Sequence, residues 1–157
     1  MHELAFASLT WREAPMPGAG PVAMALLPKL ADGGFRAFVR FPAGWSRTDV
    51  GHYAVPEEFL LLEGELSLNG RTWQRGELAW IPAWQRRRDL GSRTGCLVFA
   101  WFGGTPRWIP GEPAQAAGGP RNRTSIEGRE LARLAPGVRE TLNLDDYTWC
   151  VTPRFIV

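Results

Sequence analysis

Hydrophobic and polar residues alternate with a period of two along short stretches of this chain. The run FRAFVRF at residues 35–41 places Phe35, Ala37, Val39 and Phe41 on one side of an extended backbone. Such alternation is typical of a β-strand that is buried on one face. The run CLVFAWF at residues 96–102 is apolar throughout and lies between two glycines, so it predicts a strand that is buried on both faces.

Turn-forming residues separate these apolar runs at short intervals. Asn69-Gly70 predicts a tight hairpin, because both central residues of a type I′ turn need positive φ. The sequence ADGG at residues 31–34 predicts another turn, and Pro82 ends a further run. The predicted strands cover residues 22–27, 35–41, 58–68, 71–74, 78–81 and 96–102. Short strands at such spacing predict an all-β sandwich or barrel.

The two ends of the chain are less regular. Residues 1–20 end in a segment rich in Pro and Gly and predict an N-terminal arm, and residues 103–125 predict a long loop for the same reason. Residues 126–134 (IEGRELARL) predict at most one short helix, with Ser125 as its N-cap. Further strands are predicted at residues 138–142, 147–151 and 155–157.

Composition and charge limit the class of protein. The chain has 157 residues, enough for one domain with a sizeable core. Its net charge is only +2, and the basic residues are dispersed apart from Arg86-Arg87-Arg88, so we expect no nucleic-acid partner. No apolar run approaches membrane length, and the N-terminus lacks a signal-peptide pattern. Cys96 and Cys150 form no disulfide or zinc pattern, which favours two reduced thiols in the cytoplasm.

A spaced set of residues runs from Gly44 to Gly64. Gly44 is followed after five residues by Val50, and His52, Glu57 and Gly64 then follow after one, four and six intervening residues. This frame resembles the first motif of the cupin family, in which Gly, two histidines, Glu and Gly stand at these intervals. His52 and Glu57 match the second histidine and the carboxylate, whereas valine stands at the first histidine position.

A second segment resembles the second cupin motif in part. Gly76 is followed after five residues by Pro82, as in that motif. The positions that hold a small residue, a histidine and an asparagine in the family are Trp84, Arg87 and Gly91 here. The two motifs therefore keep the turn residues of the family and only part of its ligand set.

The resemblance covers about residues 35–102 and implies the cupin double-stranded β-helix, a jelly-roll barrel of the RmlC-like type. The whole chain, 1–157, is then one domain, with the N-terminal arm and a C-terminal extension at 126–157 added to the barrel. The sequences FPAGW and EEFLLLEGEL are similar to sensor domains related to anti-sigma factors, and small single-domain dioxygenases of this family are similar as well. Cupins commonly pair through their sheets, so the resemblance also implies a homodimer.

The resemblance implies a metal site, for which this chain has two matching ligands. A cupin metal site uses three histidines and one carboxylate inside the barrel, and only His52 and Glu57 stand at those positions. We therefore expect either no cofactor or a weakly bound divalent Fe, Mn, Ni or Zn. Arg87 brings a permanent cation to a ligand position. We expect Arg87 and Glu57 to form an ion pair in the lumen, because a buried carboxylate without a metal needs a cation.

The same positions and nearby aromatic residues predict a ligand pocket. The candidate ligand-binding residues are Arg87, His52, Glu57, Trp45, Tyr53 and Trp101. Such a pocket suits a small anionic or carbonyl-containing molecule. Glu58 is expected to face solvent, because neighbouring residues on a strand point to opposite faces.

Three classes of function are compatible with these residues. The first is a small-molecule binding protein whose metal site is degenerate. The second is an enzyme with Glu57, His52 and Arg87 as candidate catalytic residues. It is either a metal-dependent dioxygenase or isomerase that uses His52 and Glu57 with substitute ligands, or a metal-free isomerase or lyase in which Arg87 stabilises an oxyanion. The third is a structural subunit whose barrel supports dimerisation.

Overall fold

The computed structural model describes residues 9–28 and 34–114 with their side chains, and the backbone of residues 2–3, 140–144 and 147–151. Within these residues the chain forms strands and turns and no helix. The strands are β1 (His2–Glu3), β2 (Arg12–Met16), β3 (Ala19–Leu26), β4 (Phe35–Phe41), β5 (Trp45–Arg47), β6 (Gly51–Tyr53), β7 (Glu57–Leu68), β8 (Arg71–Gln74), β9 (Leu78–Ile81), β10 (Leu90–Ser92), β11 (Cys96–Phe102), β12 (Trp108–Pro110), β13 (Glu140–Leu144) and β14 (Tyr147–Val151).

One large antiparallel sheet carries the fold. Its order is β2-β3-β4-β11-β7-β10-β5, and β8 and β9 also pair with β7. Two smaller sheets accompany it, one formed by β6 and β12 and one by β1, β14 and β13. The large sheet curls strongly into a half-barrel of jelly-roll type. The prediction of an all-β jelly roll is therefore confirmed.

The long strand β7 belongs to both halves of the curled sheet. Its first half pairs with β11 and β9, and its second half pairs with β8 and β10. A bulge lies where the register against β11 shifts between Leu97 and Val98, and Gly64 follows it with φ of 73°. A bulge and a positive φ bend a strand, so β7 can turn from one wall of the barrel to the other.

The curled sheet buries apolar side chains on both of its faces. An inner cluster fills the concave side and includes Val39, Phe41, Phe59 and Val98. An outer cluster covers the opposite side and consists of Ala25, Leu27, Phe38, Leu60, Leu78, Leu97, Phe99 and Trp101. The residues of β11 alternate between the two clusters, so the prediction of a strand that is buried on both faces is confirmed.

Several local expectations can be compared with the backbone. Asn69 and Gly70 have φ of 54° and 79°, as the predicted type I′ hairpin requires. The predicted tail strands correspond to β13 and β14. The predicted N-terminal arm contains a strand, β2, and the predicted loop contains another, β12. The predicted helix at 126–134 and strand at 155–157 lie outside the described residues. No helix in the described part of the chain is long and apolar enough to cross a membrane.

Candidate functional site in the barrel lumen

A cavity of about 520 Å³ lies on the concave side of the large sheet. Its wall is mostly apolar and comes largely from the inner cluster, including Phe41, Phe59 and Val98. The polar side chains in the wall include Tyr53, Glu57 and Arg87, which lie on β6, at the start of β7 and in the loop before β10. Thr105 and the exposed Arg107, which precede β12, line it as well. The cavity is thus an apolar chamber with a few polar side chains.

Arg87 and Glu57 form an ion pair in this wall. Nη1 of Arg87 donates a hydrogen bond to Oε2 of Glu57. The two side chains are only 5% and 11% exposed, so the charges neutralise each other away from water. The predicted ion pair between these residues is therefore present in the structure.

The loop that carries Arg87 is held in an uncommon conformation. The backbone of Arg87 exchanges two hydrogen bonds with that of Gly51, at 2.8 Å and 3.2 Å. Trp84 and Asp89, on either side of it, have φ of 64° and 53°. A bulky residue such as Trp84 rarely adopts this left-handed region, and such strained positions cluster at functional sites. The fixed backbone places the guanidinium of Arg87 at one position in the wall.

Tyr53 lies beneath the guanidinium of Arg87. Cζ of Arg87 is 4.6 Å from the centre of the Tyr53 ring, which is a cation–π distance. The ring of Tyr53 also contacts Phe102 and Trp108 edge to face, with centroids 5.4 Å away in both cases. Nε and Nη2 of Arg87 have no hydrogen-bond partner among the described residues. Two buried donors at the cavity wall are therefore available to a ligand.

His52 is buried, but it does not line this cavity. Its side chain is 2% exposed, its Nδ1 donates a hydrogen bond to the carbonyl oxygen of Gly111 at 3.2 Å, and its ring lies 5.4 Å from that of Trp84. Neighbouring residues on a strand face opposite ways, so β6 turns Tyr53 to the lumen and His52 away from it. The structure thus places the tyrosine, and not the histidine, beside Glu57 and Arg87.

The two tryptophans that were expected to line the lumen are not among the residues of the cavity wall. Trp45 belongs to the inner cluster, and its Nε1 donates a hydrogen bond to the carbonyl oxygen of Gly20 at 2.7 Å. Trp101 belongs to the outer cluster, and its Nε1 donates a hydrogen bond to Oε2 of Glu58 at 2.7 Å. The expectation that Glu58 faces solvent is wrong, since it is 2% exposed. Glu58 does point away from Glu57, but the outer face of the sheet is itself covered.

The residues at the predicted metal positions do not suit a metal ion. Among the described residues, no three His, Cys, Asp or Glu side chains converge as a metal site requires. Arg87 donates a hydrogen bond to one carboxylate oxygen of Glu57, and His52 is hydrogen-bonded to Gly111 outside the cavity wall. Cys96, on β11, is a buried thiol that would have to ionise to bind a metal, and burial, the largest cause, raises its pKa to about 11. This donor set differs from the family's site in both number and placement.

Sequence reasoning missed two residues beside the cavity, Arg47 and Trp108. Arg47 is only 1% exposed, and its Cζ lies 4.2 Å from the ring centre of Trp108. Trp108 lines the cavity from β12, within the segment that was expected to be a loop. One signal in the sequence was usable: Arg47 stands two residues after Trp45, so on a strand both share one face.

Comparisons with known proteins identify the fold. Searches against protein-family models and against curated proteins gave no match. Solved structures do match. A candidate acetylacetone dioxygenase from Methylibium petroleiphilum superposes with a TM-score of 0.61 at 18% identity, over 74% of this chain and 86% of that one. An RmlC-like cupin from Ralstonia eutropha superposes with a TM-score of 0.56 at 13% identity, over 76% of this chain and 77% of that one.

A third match comes from a regulatory complex. The structure of Rhodobacter sphaeroides SigE with the anti-sigma ChrR gives a TM-score of 0.51 at 20% identity, over 62% of this chain and 51% of that one. The strongly curled antiparallel sheet with its concave lumen defines this protein as an all-β jelly roll. Its likeness to these structures shows that the fold is that of the cupin superfamily.

Proposed function

We propose that the barrel lumen binds a small, largely apolar molecule through a carbonyl or carboxylate oxygen that accepts hydrogen bonds from Arg87. One observation supports this most directly. The buried guanidinium keeps two nitrogens, Nε and Nη2, without a hydrogen-bond partner among the described residues, at the wall of an apolar cavity of about 520 Å³. Ligand pockets typically combine such a volume with an apolar wall and a few convergent polar groups.

The energetics of the site favour an oxygen ligand. A buried donor without a partner costs about 1–3 kcal/mol, and a ligand oxygen at Nε or Nη2 removes that cost. Glu57 already neutralises Arg87, so a neutral carbonyl compound can bind there as well as an anion. The phenyl, indole and aliphatic groups of the wall accommodate the apolar remainder of the molecule.

The metal-dependent alternative has less support in this chain. The likeness to a candidate acetylacetone dioxygenase is one of fold at 18% identity, and the donors of that alternative, His52 and Glu57, do not face one another in the cavity. A metal-free reaction with Glu57 as general base finds one of its oxygens already engaged by Arg87. We therefore propose binding as the activity of the lumen.

The test uses two neutral ketones, hexan-2-one and acetophenone, titrated into the protein and followed by isothermal calorimetry and by two-dimensional NMR. The informative variant is Arg87→Lys, which keeps the charge that pairs with Glu57 and removes the extra N–H groups of the guanidinium. Arg88→Lys is the matched control, since Arg88 is the exposed neighbour. We expect both ketones to bind, with an affinity that falls about tenfold in Arg87→Lys and is unchanged in Arg88→Lys.

Two outcomes would count against the proposal. Wild-type protein that binds neither ketone has no carbonyl site in its lumen. Equal affinities for wild type and Arg87→Lys would mean that the guanidinium of Arg87 does not contact the ligand. Chemical shift changes confined to residues outside the cavity wall would lead to the same conclusion.

A further inference from the structure

Arg47, on β5, is a buried cation that has no anionic partner among the described residues. Its side chain is 1% exposed, and none of Nε, Nη1 and Nη2 has a hydrogen-bond partner among the described residues. The ion pairs that the described residues form do not include it. The guanidinium of arginine carries a permanent positive charge. Such a group is costly unless something else compensates it.

Aromatic rings provide only part of that compensation. Cζ of Arg47 lies 4.2 Å from the ring centre of Trp108 and 5.9 Å from that of Trp45. Cation–π contacts attract the charge but leave the five N–H groups without acceptors. An anion can satisfy a buried guanidinium, and the two oxygens of a carboxylate can accept two parallel N–H hydrogen bonds from it.

Arg47 points toward the ligand cavity, and Trp108 separates the two. Arg47 lies opposite Leu90 in the ladder between β5 and β10, and residues that face each other across a ladder share one side of the sheet. Leu90 lines the cavity, and so does Trp108. The indole of Trp108 lies over Gly51, where any larger residue would collide with it. The indole of Trp108 thus lies between Arg47 and the lumen.

Two cations stand at the two ends of one aromatic pair. Arg87 lies 4.6 Å from the ring of Tyr53, Tyr53 lies 5.4 Å from that of Trp108, and Trp108 lies 4.2 Å from Arg47. Glu57 compensates one of the two cations, and it is bonded to Arg87. Next to the lumen, Arg47 therefore carries a positive charge that no anion among the described residues compensates.

We propose that Arg47 is a second binding residue, which holds the carboxylate of the ligand after Trp108 turns away from Gly51. This inference rests on the proposed function, in which Arg87 binds a carbonyl oxygen. Together the two residues define the ligand class as a small oxo acid, with its carbonyl group at Arg87 and its carboxylate at Arg47. The ligand then supplies a negative charge that pairs with the buried cation of Arg47.

The test compares three probes of similar shape. The first, 5-oxohexanoate, has both groups, whereas 5-methylhexanoate lacks the carbonyl and hexan-2-one lacks the carboxylate. Dissociation constants are measured by calorimetry for wild type, Arg47→Met, and the control Arg93→Met, which removes one positive charge from an exposed side chain. The position of Trp108 is followed by fluorine NMR of protein that carries 5-fluorotryptophan, with its signal assigned through Trp108→Phe.

We expect 5-oxohexanoate to bind wild type at least about tenfold more tightly than hexan-2-one and to shift the Trp108 signal. In Arg47→Met that advantage disappears while hexan-2-one binds as before, and Arg93→Met behaves as wild type. Methionine replaces an uncompensated buried cation, so we expect this variant to fold. Arg47→Gln is the second variant, and it should lose the same advantage.

The failure of this inference is distinguishable from failure of the proposed function. If hexan-2-one binds through Arg87 but the carboxylate adds no affinity, Arg47 is not a ligand residue. The same conclusion holds if Arg47→Met or Arg47→Gln still binds 5-oxohexanoate more tightly than hexan-2-one. It also holds if Arg93→Met weakens the binding of 5-oxohexanoate as much as Arg47→Met does. If hexan-2-one does not bind, the proposed function fails first, and the oxo-acid assignment fails with it.

Discussion

The guanidinium of Arg87 donates a hydrogen bond to the carboxylate of Glu57 inside the barrel, across 30 positions of sequence. Glu57 opens β7, and Arg87 lies in the strained loop before β10, so the pair joins two parts of the lumen wall. Both charges are shielded from water by the apolar wall. A buried ion pair of this kind depends on both partners, because either one alone is an uncompensated charge.

Removing one member of this pair should therefore lower the free energy of unfolding more than removing both members does. We expect Glu57→Leu to lower the free energy of unfolding by about 3–5 kcal/mol, because it leaves Arg87 without its anion. The double variant Glu57→Leu with Arg87→Met should recover most of that loss. Urea denaturation monitored by tryptophan fluorescence measures both values. A double variant that is less stable than the single one would contradict this expectation, because it would mean that Arg87 stabilises the wall even without Glu57.

Glycine at position 64 is required by the backbone and by its surroundings. Gly64 has φ of 73°, and a β-carbon there would meet the carbonyl oxygen of Gly95 on the neighbouring chain segment. Gly44 has a similar φ of 75°, but a β-carbon there meets nothing within 4 Å. We expect Gly44→Ala to lower the free energy of unfolding by about 1 kcal/mol, because only its positive φ is unfavourable for alanine. Gly64→Ala should lower it by about 3 kcal/mol or more, because a steric collision is added. Thermal and urea denaturation compare the two, and equal losses would contradict the role given to Gly95.

The strands of the barrel could be predicted because their signals are local. Alternation in residues 35–41 reflects the two faces of β4, and the apolar run of β11 reflects a sheet that is covered on both sides. The Asn69-Gly70 pair predicted a hairpin because both central residues of this type of turn need positive φ, which Asn and Gly adopt readily. The ion pair between Arg87 and Glu57 was also predictable, since the resemblance brought two distant positions to one lumen.

The orientation of His52 could not be predicted from spacing. Spacing along the sequence places a residue on a strand, but a shift of one residue exchanges the two faces. The strand β6 is short, and its partner is β12, which lies in a segment without a strand signal in the sequence. Tyr53 rather than His52 therefore faces Glu57, and no property of either residue alone indicates that.

The burial of Arg47 and Glu58 depends on tertiary contacts that the sequence does not reveal. Glu58 is covered by the outer cluster, and Trp101 of β11 donates a hydrogen bond to its carboxylate. These contacts come from other strands of the sheet. Arg47 is covered by Trp108 from β12. Charged residues are usually exposed, so the sequence favours the wrong prediction at both positions. The expected homodimer stays a prediction.

Divalent metals should have little effect on this protein. Glu57 is engaged by Arg87 and His52 by Gly111, so an added ion gains few ligands. We expect equimolar Fe, Mn, Ni or Zn to leave the thermal unfolding midpoint unchanged, because only an ion that binds the folded state tightly raises it. Elemental analysis of the purified protein should find these metals well below one equivalent. One equivalent of any of them that survives dialysis against a chelator would contradict the assignment of the Glu57 carboxylate to Arg87.

Cys96 should make the stability of the protein fall at alkaline pH. Burial, the largest cause, and the nearby charge of Glu65 raise the pKa of this thiol to about 11 from the ordinary value of 9.0, against a smaller opposite effect of a hydrogen bond from Ser92. Because the folded pKa lies above the unfolded one, the stabilisation is fully present below pH 9 and is lost as pH rises toward 11.

Urea denaturation of wild type and Cys96→Ala across this pH range isolates the effect. Relative to Cys96→Ala, we expect wild type to lose about 2 kcal/mol of unfolding free energy between pH 9 and pH 11, since each unit of pKa shift corresponds to about 1.4 kcal/mol. Cys150 and the other titrating groups are present in both proteins, so their contributions cancel in the difference. Parallel curves for the two proteins over the whole range would mean that the thiol of Cys96 ionises as readily in the folded chain as in the unfolded one.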